Sequence, residues 1–342
     1  MIIKRVYSPG ILNELINKTI LFHNALLEKG NINEKIIEEI LLTTKNDERQ
    51  IIRNNYKKIF HHPIQNDIIS FLKEKNLHLY NISLNMFDTP FEYDARELKK
   101  ALTINNNNNV DENILIEIFC SRPKSHLEII DLAYKNFFNI PLKEELENKL
   151  SKKFSKYILT LMDIERPTEQ TLSKKEPYEI AKDIIKNGFK LYANDINLFK
   201  KIFVEKSRKD LILISRAYYE LTKKCLYDDI IGDNISQNNN INETNEENKG
   251  INNNLKLIKH LLFAVITPSQ FFAKKCKLAL SDPSININDL LRILISRAEI
   301  DIKMIRDYYF KETKCDIKND IKNKNLLKDT TTLVNILINI IK

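Results

Sequence analysis

Five apolar positions recur four times along the 342-residue chain at fixed spacing, and no other feature limits its fold as much. In the stretch from Phe91 to Met162, Leu115, Ile118 and Phe119 share one helical face, and Ile130 and Tyr134 lie on the next helix. Shifting the frame by −78, +84 and +175 residues turns Leu115 into Ile37, Phe199 and Leu290, and Ile118 into Ile40, Ile202 and Ile293. Phe119 becomes Leu41, Phe203 and Leu294, and Ile130 becomes Ile52, Ile214 and Ile305. Tyr134 becomes Tyr56, Tyr218 and Tyr309. A chain rich in Asn, Ile and Lys would match isoleucines by chance, but not four tyrosines at the same spacing. The chain is an internal four-fold repeat, each unit a block that buries its apolar face against others.

The periodicity is helical. Leu127, Ile130, Tyr134 and Phe137 share a face, as do Phe154, Tyr157, Ile158 and Leu161. Pro123 and Pro141 stand where helices begin, a place that loses no backbone hydrogen bond. Asp94 followed by Glu97 reads as a capping box. Glycine is confined to Gly10, Gly30, Gly188, Gly232 and Gly250, which excludes a glycine-rich phosphate loop. The expected fold is all-α, with no sheet.

In chain order the reading gives a leader over 1–14, repeats over 15–90 and 91–165, and a polar link over 166–175 that looks like a joint between halves. A third repeat, 176–267, carries an Asn-rich insertion over 232–254, expected as a disordered segment or long surface loop between its fourth and fifth helices. A fourth, 268–342, closes on TLVNILINII as a buried helix. No apolar run reaches the ~18 residues of a membrane span. Residues 1–7 are too short and too charged for a signal peptide. Cys120, Cys225, Cys276 and Cys315 are far apart, as reduced thiols of a cytosolic protein would be. The expectation is a cytoplasmic protein, peripheral wherever it meets a membrane.

No nucleophile sits in a local catalytic signature, so no catalytic residues are assigned and the chain does not read as an enzyme. His61 and His62 are adjacent and point apart, unlike a metal pair. The net charge of +8 points to an anionic partner. No nucleic-acid motif accompanies it, so none is expected as a partner.

With the repeats aligned, YDARELKKAL, DENILIEIFCSR and KFSKYILTLM of the second repeat resemble the first, second and fifth repeat helices of the annexins. ISRAEIDIKMIRDYY of the fourth resembles their Ser-Arg-x-Glu-Ile-Asp signature. The resemblance, which extends to the divergent annexin-like giardins, implies four repeats of about five helices each, forming a curved disc. It also implies loops that bind calcium and anionic phospholipid. The repeat arginine of the family falls on Arg122 and Arg297, with structural roles, and is replaced by Thr44 and Lys206, which read as looser packing.

Calcium takes six to eight oxygens, and annexin sites supply carbonyls from a glycine-rich loop plus a distal carboxylate. The loop aligns with 27–32, 105–110, 189–194 and 280–285, where the two glycine positions hold Lys29 and Asn31, Asn107 and Asn109, Leu191 and Ala193, and Asp282 and Ser284. Asparagine tolerates positive φ, so the loop of Asn107 and Asn109 could still bend to a lipid headgroup. The distal position, 27 residues beyond the repeat arginine, holds Phe71, Lys149, Asp233 and Lys324. A calcium site is expected to be weak or absent; one that survives would use Asp233 with the carbonyls of Leu191 and Ala193. Lys149 and Lys324 reverse the local charge and, with Lys153 and Lys328, are candidates for direct contact with anionic lipid. The expected function is a peripheral, weakly calcium-dependent membrane and cytoskeleton scaffold. The alternative is a soluble protein-interaction module.

Overall fold

The computed structural model describes residues 7–27, 31–103, 110–232, 246–281, 286–323 and 339. Among them there is no β-strand. The first repeat runs through α1 (Pro9–Leu27), α2 (Glu34–Thr43), α3 (Asn46–Phe60), α4 (Ile64–Leu72) and α5 (Leu77–Phe87). The second follows with α6 (Pro90–Leu102), α7 (Glu112–Ser121), α8 (Lys124–Phe138), α9 (Leu142–Lys149) and α10 (Lys152–Asp163). In the third, α11 (Glu176–Asn187) is followed at once by a short α12 (Phe189–Asn194). Then come α13 (Ile196–Phe199), which runs on as a π-helical turn over Lys200–Val204, α14 (Arg208–Thr222), α15 (Leu226–Gly232) and α16 (Glu246–Ile266). The fourth has α17 (Pro268–Ala279), α18 (Ile287–Arg297), α19 (Ile302–Thr313) and α20 (Ile317–Asn323). The closing segment 332–341 lies outside the described residues, apart from residue 339.

Every one of the twenty register positions is buried, from Ile37 to Tyr309. The backbone obeys the same register. Asn33, Asp111, Asp195 and Asn286 stand at one repeat position, and each side chain accepts a backbone N–H of the helix it caps. Each repeat tyrosine donates to a carboxylate eleven residues on: Tyr56 to Asp67, Tyr134 to Glu145, Tyr218 to Asp229 at 2.6 Å, and Tyr309 to Asp320 at 2.6 Å. A buried phenol needs an acceptor, so the tyrosine and the carboxylate are fixed together. Burial and the neighbouring carboxylate push the Tyr134 and Tyr309 hydroxyls well above the usual tyrosine range.

Five residues past each tyrosine the helix ends in the left-handed region, at His61 (φ 63°), Asn139 (φ 57°), Lys223 (φ 61°) and Lys314 (φ 61°). Only asparagine is suited to that conformation, which costs an L-residue about 1–2 kcal/mol. Glycine at 223 or 314 is expected to stabilise the protein by about 0.5–1 kcal/mol, because the relief exceeds the added freedom of the unfolded chain. Urea unfolding of Lys223→Gly checks this; an unchanged or lowered midpoint would show that the lysine stem contributes more than the strain.

The chain forms two compact units, one of residues 1–90 and 272–342, the other of 91–271. The 166–175 link lies inside the second unit, so it is not the joint between halves that its polarity suggests. It is held by Asp210, fully buried at the start of α14, which accepts the N–H groups of Thr171 and Leu172 at 3.1 and 3.0 Å. Three further expectations are corrected. The helix α1 starts at Pro9, inside the presumed leader. Asp94 lies mid-helix in α6, where it pairs with Arg122 instead of opening a capping box. The last nine residues of the Asn-rich insertion, 246–254, are the first turns of α16, and Asn253 and Asn254 are buried there because their amides find partners in the protein body. The remainder, 233–245, lies outside the described residues.

Candidate functional site

The loops between the first and second helices of each repeat are where the resemblance puts ion and lipid contacts. In three repeats the capping Asx residue closes such a loop by donating its backbone N–H to an alanine carbonyl of the helix before. Asn33 reaches Ala25 at 2.8 Å, Asp111 reaches Ala101 at 2.8 Å and Asn286 reaches Ala279 at 2.9 Å. In the third repeat Asp195 reaches Leu191 at 2.9 Å, one helical turn back. No open loop exists there, because α12 occupies the window.

The local sequence explains this. Gly188, at φ 70°, ends α11 in a conformation that side chains resist. Phe189, Tyr192 and Ala193 then follow at helical spacing and are all buried. The carbonyls at the end of a helix lack intrahelical partners. Here four in succession accept a hydrogen bond: Lys190 from Asn194 Nδ2 at 2.9 Å, Leu191 from Asp195 N, Tyr192 from the Tyr157 hydroxyl at 2.9 Å, and Ala193 from Asn254 Nδ2 at 2.8 Å.

The repeat arginines and their replacements also have defined places. Arg122 grips Asp94 in a two-point fork at 2.7 and 3.0 Å. Arg297 donates to Asp301 at 2.8 Å and lies 4.5 Å from the centre of the Phe272 ring. Where the repeat arginine is missing, another arginine reaches in. Arg49 donates to the carbonyls of Leu41 and Thr44, and through Nε to Met86 at 2.8 Å. Arg166 donates to Phe203 at 2.8 Å and Lys206 at 2.6 Å. Leu41 and Phe203 are equivalent by register, as are Thr44 and Lys206, so two unrelated arginines hold the same pair of carbonyls. The looser packing expected at Thr44 and Lys206 is therefore corrected: Thr44 is buried, and both backbone ends are clamped.

The annexin family profile matches residues 93–161 and 271–326. Annexin A13 of Mus musculus is 26% identical to this chain over 277 residues, covering 80% of it and 79% of that protein. The structure of annexin III matches with a TM-score of 0.80 at 22% identity, over 98% of this chain and 95% of its own. The chain resembles the annexin family in sequence and has its fold. A calcium-bound structure of annexin (Sm)1 matches at a TM-score of 0.72 and 18% identity, covering 98% of this chain and 92% of its own.

Likeness to the annexins suggests calcium-dependent phospholipid binding in general. The residues of the third-repeat window do not fit the ion. Leu191 and Ala193 lie in a helix, with their carbonyls already accepting, so the loop ligand expected from them is not formed. Asp233, Asn107, Asn109, Lys324 and Lys328 lie outside the described residues. Among the described residues no three His, Cys, Asp or Glu side chains gather as metal ligands. None of the described helices is long and apolar enough to cross a membrane.

Lys149 is exposed in the last turn of α9, as a lipid-facing lysine must be. Lys153 is half-buried, and its ammonium donates to Asn194 Oδ1 at 2.5 Å. Its neighbour Lys152 is exposed. Asn254 went unnoticed in the sequence because an asparagine inside an Asn-rich run carries no pattern.

Proposed function

We infer that this protein docks peripherally on anionic phospholipid surfaces with little or no dependence on calcium, and serves there as a scaffold for cytoskeletal or other protein partners. The observation that carries the reading is the third-repeat window, whose four carbonyls are satisfied from within the protein. An ion would have to compete with donors already in place for each of these oxygens. Two of the four distal positions that would hold a carboxylate are lysine, Lys149 and Lys324, so attraction to a phosphate or carboxylate headgroup needs no bridging cation there. Exposed Lys152, beside Lys149, adds to the local field.

Co-sedimentation with phosphatidylserine vesicles, in calcium and in chelator, tests it. Binding should be equal in both and should weaken as salt is raised, since surface charge is screened over about 10 Å at 0.1 M salt. Lys149→Glu with Lys152→Glu should lower the affinity about tenfold. Binding that requires calcium overturns the reading. Absence of binding in both conditions would instead favour a soluble protein-interaction module.

A further inference from the structure

The first turns of α16 and the start of α10 meet over the third-repeat window. Asn254 is fully buried, and its amide N–H lies 2.8 Å from the Ala193 carbonyl. Its amide oxygen has no partner among the described residues, a desolvation cost borne where an apolar side chain would have none. The residue is thus explained by its donor. One turn earlier the chain passes close to Lys153: a Cβ at Gly250 would stand 3.6 Å from the Lys153 stem. That stem carries its ammonium to Asn194, the last residue of the window, at 2.5 Å. Tyr157, one turn on from Lys153 in α10, delivers its hydroxyl to Tyr192. The residue before Asn254, Asn253, donates to Glu112 at 2.7 Å and ties the extension to α7.

We propose that Asn254, Tyr157 and Lys153 together stand in for a bound cation in the third repeat, holding the 189–194 window closed whether or not calcium is present. A cation organises a loop by drawing carbonyl oxygens toward one positive centre. Here two fixed donors take the carbonyls of Tyr192 and Ala193, and a covalently tethered ammonium takes the side chain of Asn194. The difference is permanence: the donors arrive with the fold and cannot dissociate. The helical end of the Asn-rich segment thereby becomes part of the site. The inference concerns the window alone and stands whether or not the protein meets a membrane.

Amide hydrogen exchange on the full chain, in calcium chloride and in chelator, tests it. In the wild type the amides of 190–195 should exchange slowly and at the same rate in both conditions. In Tyr157→Phe, Lys153→Ala and Asn254→Ala they should exchange about tenfold faster or more, while those of the α14 core around Tyr218 keep their rates. Tyr157→Phe changes one hydroxyl only, so it reports even if Asn254→Ala fails to fold. Protection of the window that rises in wild type on adding calcium would overturn the proposal, because an ion would then be doing the holding. So would wild-type exchange rates in Tyr157→Phe and Lys153→Ala.

Discussion

Replacing Arg49 by methionine is expected to destabilise the protein by about 3–5 kcal/mol, and Arg166→Met by a similar amount. Methionine keeps the apolar stem and removes only the donors. Arg49 is 6% exposed and serves three carbonyls, those of Leu41, Thr44 and Met86. Each buried acceptor left without a partner costs about 1–3 kcal/mol, and water has poor access to them. Arg166 holds two carbonyls, of Phe203 and Lys206. Burial pulls its guanidinium down to about 10, so it remains charged near neutral pH. Arg49→Lys should recover only part of the loss, because a single ammonium cannot span the fork of acceptors. Urea unfolding followed by circular dichroism gives the numbers. A methionine variant within about 0.5 kcal/mol of wild type would show that the carbonyls are satisfied without the arginine.

The same arginines mark the limit of what the sequence discloses. Arg122 and Arg297 are visible because they sit at one register position, and local spacing is what a repeat alignment sees. Arg49 lies five residues from Thr44, and Arg166 lies forty from Lys206, at unrelated offsets. Only the folded backbone shows that they hold equivalent carbonyls. The buried register positions were legible because burial is written in residue type, as a long tolerant pattern. The tyrosine recurrence was legible too, but not its reason, since the acceptor eleven residues on is Asp in three repeats and Glu in one.

The candidate site was legible in outline and misleading in detail. Counting from the repeat arginine found the windows, and Leu191 and Ala193 already argued against a bent loop. The sequence does not say what takes the place of the loop. Phe189, Tyr192 and Ala193 turn the window into a helix because they bury on one side, a tertiary gain that outweighs its short length. At its end, over 246–254, the Asn-rich run failed as an indicator of disorder for a related reason. Composition averages over a segment, whereas Asn253 and Asn254 are fixed by individual partners, Glu112 and Ala193.

Asp210→Ala is expected to cost about 3–5 kcal/mol and to remove part of the protein's sensitivity to acid. The carboxylate is fully buried and accepts five donors: the N–H and hydroxyl of Thr171, the N–H of Leu172, and the N–H and hydroxyl of Ser207. Alanine would leave those donors in a dry site and free the 166–175 link from α14. Burial by itself pushes the carboxyl up, but the hydrogen bonds from Leu172, Ser207 and Thr171 outweigh it and hold Asp210 below the usual carboxylate range. A carboxyl depressed in the folded state stabilises the protein fully above its unfolded value of about 3.9. That contribution is lost as the pH falls through the lower, folded value. Wild type should therefore lose more stability than Asp210→Ala between about pH 6 and pH 3, and the gap between the two should narrow in acid. Urea midpoints at the two pH values decide the matter. A gap that stays constant would mean that Asp210 acts through shape alone, with its charge contributing nothing to the hold on the link.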